Sequence, residues 1–227
     1  SYMEDHVLAY KAPLYGRRTA QMKIMPFDFE ESCRYLKNMS DEEKAIIYGI
    51  VGGTPQYLLQ INDKMSVEEN IRNTFLNPMS FLYEEPMNLL KQEVREPAIY
   101  TAIITAIATG HSRMSEISTK VGEDTNVCSG YLKNLINLGI IKKETPYGEK
   151  TSKKSIYSIE DNMFCFWYRF VLDNNSVIVR GAADLVYKKI EAQLSDYMGR
   201  VFEDISAQYL WKQLLTGNSP VEFTSLG

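Results

Sequence analysis

Residues 86–160 constrain the fold most: three helical patterns in a row, then two strand patterns. The first helical pattern runs from Pro86 to Thr109, is broken near Pro97 and stops at Gly110. The second covers Ser115 to Val121 and stops at Gly122. The third begins after Asp124-Thr125 and sets Val127, Tyr131, Leu135 and Leu138 at spacings of four, four and three, one face of a helix ended by Gly139. Residues 140–145 and 155–159 then read as strands, joined by the polar, turn-rich stretch 146–154.

Three helices followed by a β-hairpin is the winged-helix order, and it predicts a domain over 86–160. In a DNA-binding version the helix from Asn126 to Asn137 enters the major groove of double-stranded DNA and the hairpin touches backbone. Ser129, Lys133 and Asn134 fall on the expected solvent face of that helix, where such side chains can read base edges. Lys142, Lys143, Lys150, Lys153 and Lys154 of the hairpin, facing only Glu144 and Glu149, would supply phosphate contacts. Charge balance opposes this: residues 97–160 carry eight basic and six acidic side chains, and the helix has one lysine and no arginine. A regulatory or protein-packing domain remains open.

The N-terminal part has a different grammar. Residues 1–27 end in a short alternation around Met22 and Ile24 that suggests a strand closed by Pro26. Residues 28–96 hold 13 acidic against seven basic side chains. Phe29 to Leu36 is a short amphipathic run. Ser40-Asp-Glu-Glu43 and Ser66-Val-Glu-Glu69 are capping boxes that open helices, the second closed by Asn77-Pro78. Between them stands Val51-Gly-Gly-Thr-Pro-Gln56. Gly53 is expected to take the left-handed conformation that ends a helix, Thr54 to cap the next, and Pro55 to occupy its first position. A corner between helices explains these residues without a ligand, and no phosphate-loop pattern occurs in the chain.

An acidic helical block, a Gly-Gly-x-Pro turn and a winged helix together resemble the C-terminal half of archaeal-type P-loop ATPases, relatives of the AAA+ and signal-transduction ATPases. The resemblance implies a helical lid over 28–85 whose corner, Gly52, Gly53 and Pro55, lies near the adenine of ATP. Pro13-Leu-Tyr-Gly-Arg-Arg-Thr19 is similar to the end of the ATPase core, over 1–27, and there Arg17 or Arg18 matches an arginine that faces phosphates. The segments Phe164–Phe170 and Tyr197–Glu203 resemble the linker and first helix of a nuclease-like α/β domain, begun over 161–227, with Glu203 matching a helix glutamate of that superfamily. Its metal-binding strands would follow Gly227, so no metal site is assigned.

The resemblance therefore implies a mainly α-helical fold: lid, winged helix and the start of an α/β domain. ATP and Mg2+ would serve a longer parent protein, as a homo-oligomer or not, and neither is expected on this chain alone, which lacks the Walker motifs. The chain opens at Ser1 and closes on a segment, residues 221–227, that reads as the start of a strand, so a fragment is expected. The rival readings are a winged-helix transcription regulator or protein-interaction module without ATPase activity, and a structural subunit of a toxin or restriction-type system.

Composition closes off other classes. Net charge is −4, so nucleic-acid binding must rest on local charge. Three scattered cysteines, Cys33, Cys128 and Cys165, and two histidines make disulfides and a His-based metal site improbable, and fit a reduced, cytoplasmic setting. No apolar run approaches the ~18 residues of a membrane span.

Overall fold

A computed structural model of the chain describes residues 19–20, 22, 24–145 and 155–225. The fold is mainly helical with one small sheet. Arg17, Arg18, Lys150, Lys153 and Lys154 lie outside the described residues.

The first block contains five helices: α1 (Phe29–Cys33), α2 (Asp41–Val51), α3 (Pro55–Leu58), α4 (Val67–Thr74) and α5 (Phe81–Glu93). Local chemistry starts three of them. Asp28, Ser40 and Ser66 each accept from the backbone N–H three residues on, while Glu31, Glu43 and Glu69 reach back to the cap N–H. These exchanges satisfy amides that a helix start would otherwise leave bare, and hydrogen bonds from Ser40 and Ser66 hold Glu43 and Glu69 below the usual carboxylate range. The buried Asn70 organises the loop before α4. Its amide donates to the carbonyls of Asn62, Met65 and Ser66, and its oxygen accepts from the Asn62 N–H at 2.8 Å.

The second unit is α6 (Pro97–Ala108), α7 (Met114–Val121) and α8 (Thr125–Asn137), followed by β1 (Ile141–Glu144) and β2 (Ile156–Ile159). The strands pair antiparallel, with Ile141 opposite Ile159 and Glu144 opposite Ile156. Gly110, Gly122 and Gly139 follow the three helices with positive φ, as the sequence pattern predicts.

The chain then enters α9 (Asn162–Phe170), a 3-10 turn (Leu172–Asn174), α10 (Asn175–Val179) and the 33-residue α11 (Ala183–Leu215), about 50 Å long at ~1.5 Å per residue. Helix α9 is apolar on every side because it is the centre of the molecule: it packs against α2, α5, α6 and β2. Phe166 lies within 4.9 Å of Phe75, 5.1 Å of Phe170 and 5.8 Å of Tyr197, ring centre to ring centre. Helix α11 crosses α2 and α4, so one continuous core runs through both units.

Several local expectations are corrected. Residues 22 and 24–28 form no strand; the Phe27 N–H instead donates to the Gly53 carbonyl at 2.9 Å, and Met22 and Ile24 are exposed. Helix α4 ends at Thr74, before Asn77-Pro78. Pro86 lies inside α5 rather than opening a helix, so the boundary drawn at 85/86 passes through one. The buried face of α8 is Cys128, Leu132 and Leu135, with Val127 41% exposed. The two helices expected over 183–194 and 197–210 are one, and residues 221–225 form no strand.

Candidate functional site

The Gly52–Pro55 corner is built by two glycines with separate tasks. Gly52 takes the positive φ, at φ 67° and ψ −159°, a region open essentially to glycine alone. This corrects the expectation that Gly53 would do so. Gly53 is glycine for space: a Cβ there would lie 1.8 Å from the Phe27 carbonyl oxygen. The close backbone approach that Gly53 permits is thus made by the chain's own residue 27. Thr54 is the N-cap of α3 by position but makes no side-chain capping bond, and Pro55 fills the first helical position as expected.

Beside this corner lies a cleft of about 490 Å³ between residues 25–28, the end of α2 and the C-terminal half of α11. Trp211 and Tyr48 supply aromatic wall. The charged lining is Asp28, Glu160, Asp161 and Asp204 against Lys142. Four carboxylates against one lysine make the cleft unfavourable for a polyphosphate. Among the described residues no group of three or more His, Cys, Asp or Glu could hold a metal ion.

Polar side chains under the cleft join distant segments. The Tyr48 carbonyl accepts from the Gly52 N–H at 2.8 Å and from the Asn162 side-chain amide at 3.0 Å. The Asn162 oxygen accepts from Arg200 at 3.1 Å, and Arg200 also donates to the Ile159 carbonyl of β2 at 2.6 Å. Tyr197 donates to the Gly49 carbonyl at 2.6 Å; complete burial raises its hydroxyl pKa well above normal. Gln208 accepts from the Phe29 N–H at 2.8 Å and donates to the Tyr48 hydroxyl at 3.0 Å. Of these residues, Gly52 was expected at the corner, and Tyr197 and Arg200 fall in the segment likened to a nuclease-like helix; Tyr48, Asn162 and Gln208 were not singled out by sequence reasoning. Asn162, beside the capping Asp161 at the head of an apolar run, offered the one local signal. Asp161 itself accepts from the Phe164 N–H at 3.0 Å, and burial pushes its carboxyl up to about 6.

The residues proposed for DNA fall in two places. Ser129, Lys133 and Asn134 are exposed on α8, and Asn134 donates to the Tyr100 hydroxyl at 2.8 Å. Lys142 is turned inward to Glu144 at 2.9 Å and Asp204 at 3.5 Å, whereas Lys143 is exposed, 5.9 Å from the centre of the Tyr157 ring. Glu203 is an exposed residue of α11.

Comparison with known proteins finds likenesses without a function. Residues 167–227 match the family model DUF234, described as archaeal and bacterial proteins of unknown function. All of this chain aligns at 35% identity over 228 residues with an uncharacterized protein of Methanocaldococcus jannaschii, and it spans about half, 51%, of that relative's length. No solved structure matches the chain. No helix among the described residues is long and apolar enough to cross a membrane.

Proposed function

We propose that this chain is the C-terminal, regulatory part of an ATP-dependent switch related to P-loop ATPases. In this reading α1–α5 are the lid, with adenine at the Gly52–Pro55 cleft, and α6–α8 with β1–β2 are a winged helix whose output is contact with double-stranded DNA. ATP and Mg2+ are handled by the Walker motifs and phosphate-facing arginine of a longer protein, for which Arg17 and Arg18 are the candidates in this sequence.

One observation carries the proposal: a continuous hydrogen-bonded path from corner to hairpin. It runs from the Gly52 N–H to the Tyr48 carbonyl, to Asn162, to Arg200 and on to the Ile159 carbonyl. This path supports the reading because it gives a ligand that moves the corner a physical route to strand β2.

The test uses the full-length protein. ATP is expected to change protease sensitivity near residues 78–98 and to change duplex affinity in a salt-dependent manner. Arg200→Gln should leave ATP binding in place and remove its effect on duplex binding. Unchanged proteolysis with ATP bound would sink the switch. Replacing Lys150, Lys153 and Lys154 with Glu should remove duplex binding, and an unaltered titration takes the hairpin out of the reading.

A second reading, a protein-interaction module, is favoured by α8 itself. Its exposed side carries Val127 and Ile136 beside a single lysine, and Lys142 is already paired internally. Absence of both ATP and duplex binding would leave this reading in force.

A further inference from the structure

Three arginines among the described residues are half-buried, and their partners differ. Arg72 is 2.8 Å from Glu68 and also bridges Asp184, with Tyr187 beneath it. Arg200 spends two donors on the Ile159 carbonyl and Asn162, with Asp204 at 4.0 Å. Arg169 has no carboxylate within ion-pair distance among the described residues. Its guanidinium is held over the Phe170 ring at 5.3 Å and near the Tyr197 ring at 5.7 Å. Both rings are within cation–π range, and no hydrogen bond or ion pair among the described residues spends the Arg169 N–H donors.

Arg169 and Arg200 line the same cleft, about 490 Å³, beside the C-terminal half of α9. Its walls are the C-terminal end of α6, strand β2, α9 and α11. The charged lining is these two guanidinium groups and one carboxylate, Asp196. Thr109, Ser112 and Ser158 add polar surface at the rim, and Tyr157 and Ile107 add apolar wall. The cleft thus has the opposite electrostatic character to the one beside Gly52. A half-buried guanidinium without an acid costs free energy unless something anionic accompanies it.

We propose that this cleft binds a phosphate group, with Arg169 as the principal donor and Arg200 as the anchored second cation. A fork of N–H donors held by aromatic stacking matches the paired oxygens of a phosphate, and the cleft has room for a small body attached to it. A bound phosphate would join the hairpin unit to α11, because it would lie between β2 and Arg200. The site does not depend on the ATP reading, since it uses neither the Gly52 corner nor any Walker residue.

The experiment is calorimetric titration of the 227-residue chain, in low-chloride buffer, with inorganic phosphate and separately with AMP. Saturable binding of either ligand that is lost or weakened at least about tenfold in Arg169→Gln is expected, with Arg169→Lys intermediate because charge survives and the planar fork does not. Tighter binding of AMP than of phosphate would assign a nucleotide as the source of the group. Asp196→Asn removes the single carboxylate of the cleft from an exposed position, and it should tighten binding several-fold. No binding by the wild-type chain overturns the site. So does binding that survives Arg169→Gln, which for AMP would belong to the Gly52 corner instead. Unchanged or weaker binding by Asp196→Asn overturns it as well, and this variant keeps the test decisive if Arg169→Gln fails to fold.

Discussion

Helices α9 and α11 both belong to the C-terminal third of the chain and are used in opposite ways. Eight of the nine residues of α9 are buried, while α11 buries four of its 33: Val186, Ile190, Tyr197 and Val201. Helix α9 is a pin through the centre, wrapped by both units. Helix α11 is a long strut, held along one narrow stripe whose members are four, seven and four residues apart, and its last turns present Phe202, Tyr209 and Leu215 to solvent. Apolar residues in a helix therefore do not report burial by themselves. What surrounds the helix decides.

The comparison breaks most visibly at Phe166 of α9, which is fully buried among three aromatic rings. Phe166→Ala should destabilise the chain by about 3–5 kcal/mol, read from urea unfolding; a loss below 1 kcal/mol would mean that α9 is not the pin described. The buried stripe of α11 should respond less. Tyr197→Phe keeps the ring and deletes the hydroxyl that donates to the Gly49 carbonyl at 2.6 Å, at an expected cost of about 1–2 kcal/mol by the same measurement. Equality with the wild type would show that the hydroxyl does not tie α11 to α2.

Asp161, the N-cap of α9, sharpens the contrast through pH. Burial raises its carboxyl from 3.8 to about 6. A raised carboxyl binds its proton more tightly in the folded than in the unfolded chain. Its contribution to stability is therefore complete below about pH 4 and is lost as pH rises through 6. Asp161→Asn retains an acceptor for the Phe164 N–H and carries no charge, so the variant should lack this fall and should match or exceed the wild-type Tm at pH 7.5. A wild-type-like fall between pH 4 and 7 in the variant would assign the effect to another group.

The smallest effect is expected at the exposed end of α11. Leu215, 82% exposed, should tolerate Leu215→Ser within about 0.5 kcal/mol in thermal unfolding. A larger loss would mean that this turn is covered by something else in solution, and α11 would then resemble α9 along more of its length.

Much of the molecule was readable in advance where neighbours in sequence are also neighbours in space. The capping boxes at Ser40 and Ser66, Pro55 at the head of α3, the glycines after α6, α7 and α8, and the order of three helices and a hairpin are all short-range facts. The candidate site was readable only as a corner. Its two glycines were correctly located, but the positive φ expected at Gly53 belongs to Gly52, and the space that Gly53 leaves is taken by Phe27, 26 positions away in the chain.

Burial was harder to place. In α8 the spacing of Val127, Tyr131, Leu135 and Leu138 and the spacing of Cys128, Leu132 and Leu135 are both helical; they share Leu135, and Cys128 and Leu132 each stand one residue, about 100°, on from Val127 and Tyr131. Packing against α6, α7 and β1 places Cys128, Leu132 and Leu135 innermost, with Tyr131 and Leu138 partly buried beside them. In α11 the break expected between Leu194 and Tyr197 does not occur, because Tyr197 and Val201 extend the stripe begun by Val186 and Ile190. The sequence by itself determined the helix starts at Ser40, Pro55 and Ser66, the glycine stops after α6, α7 and α8, and the order of three helices and two strands, since local chemistry makes them. Tertiary structure alone decided which faces are buried, which cations lack an acid and which carbonyls Asn162, Tyr197 and Arg200 satisfy, since those free energies depend on groups brought together from across the chain.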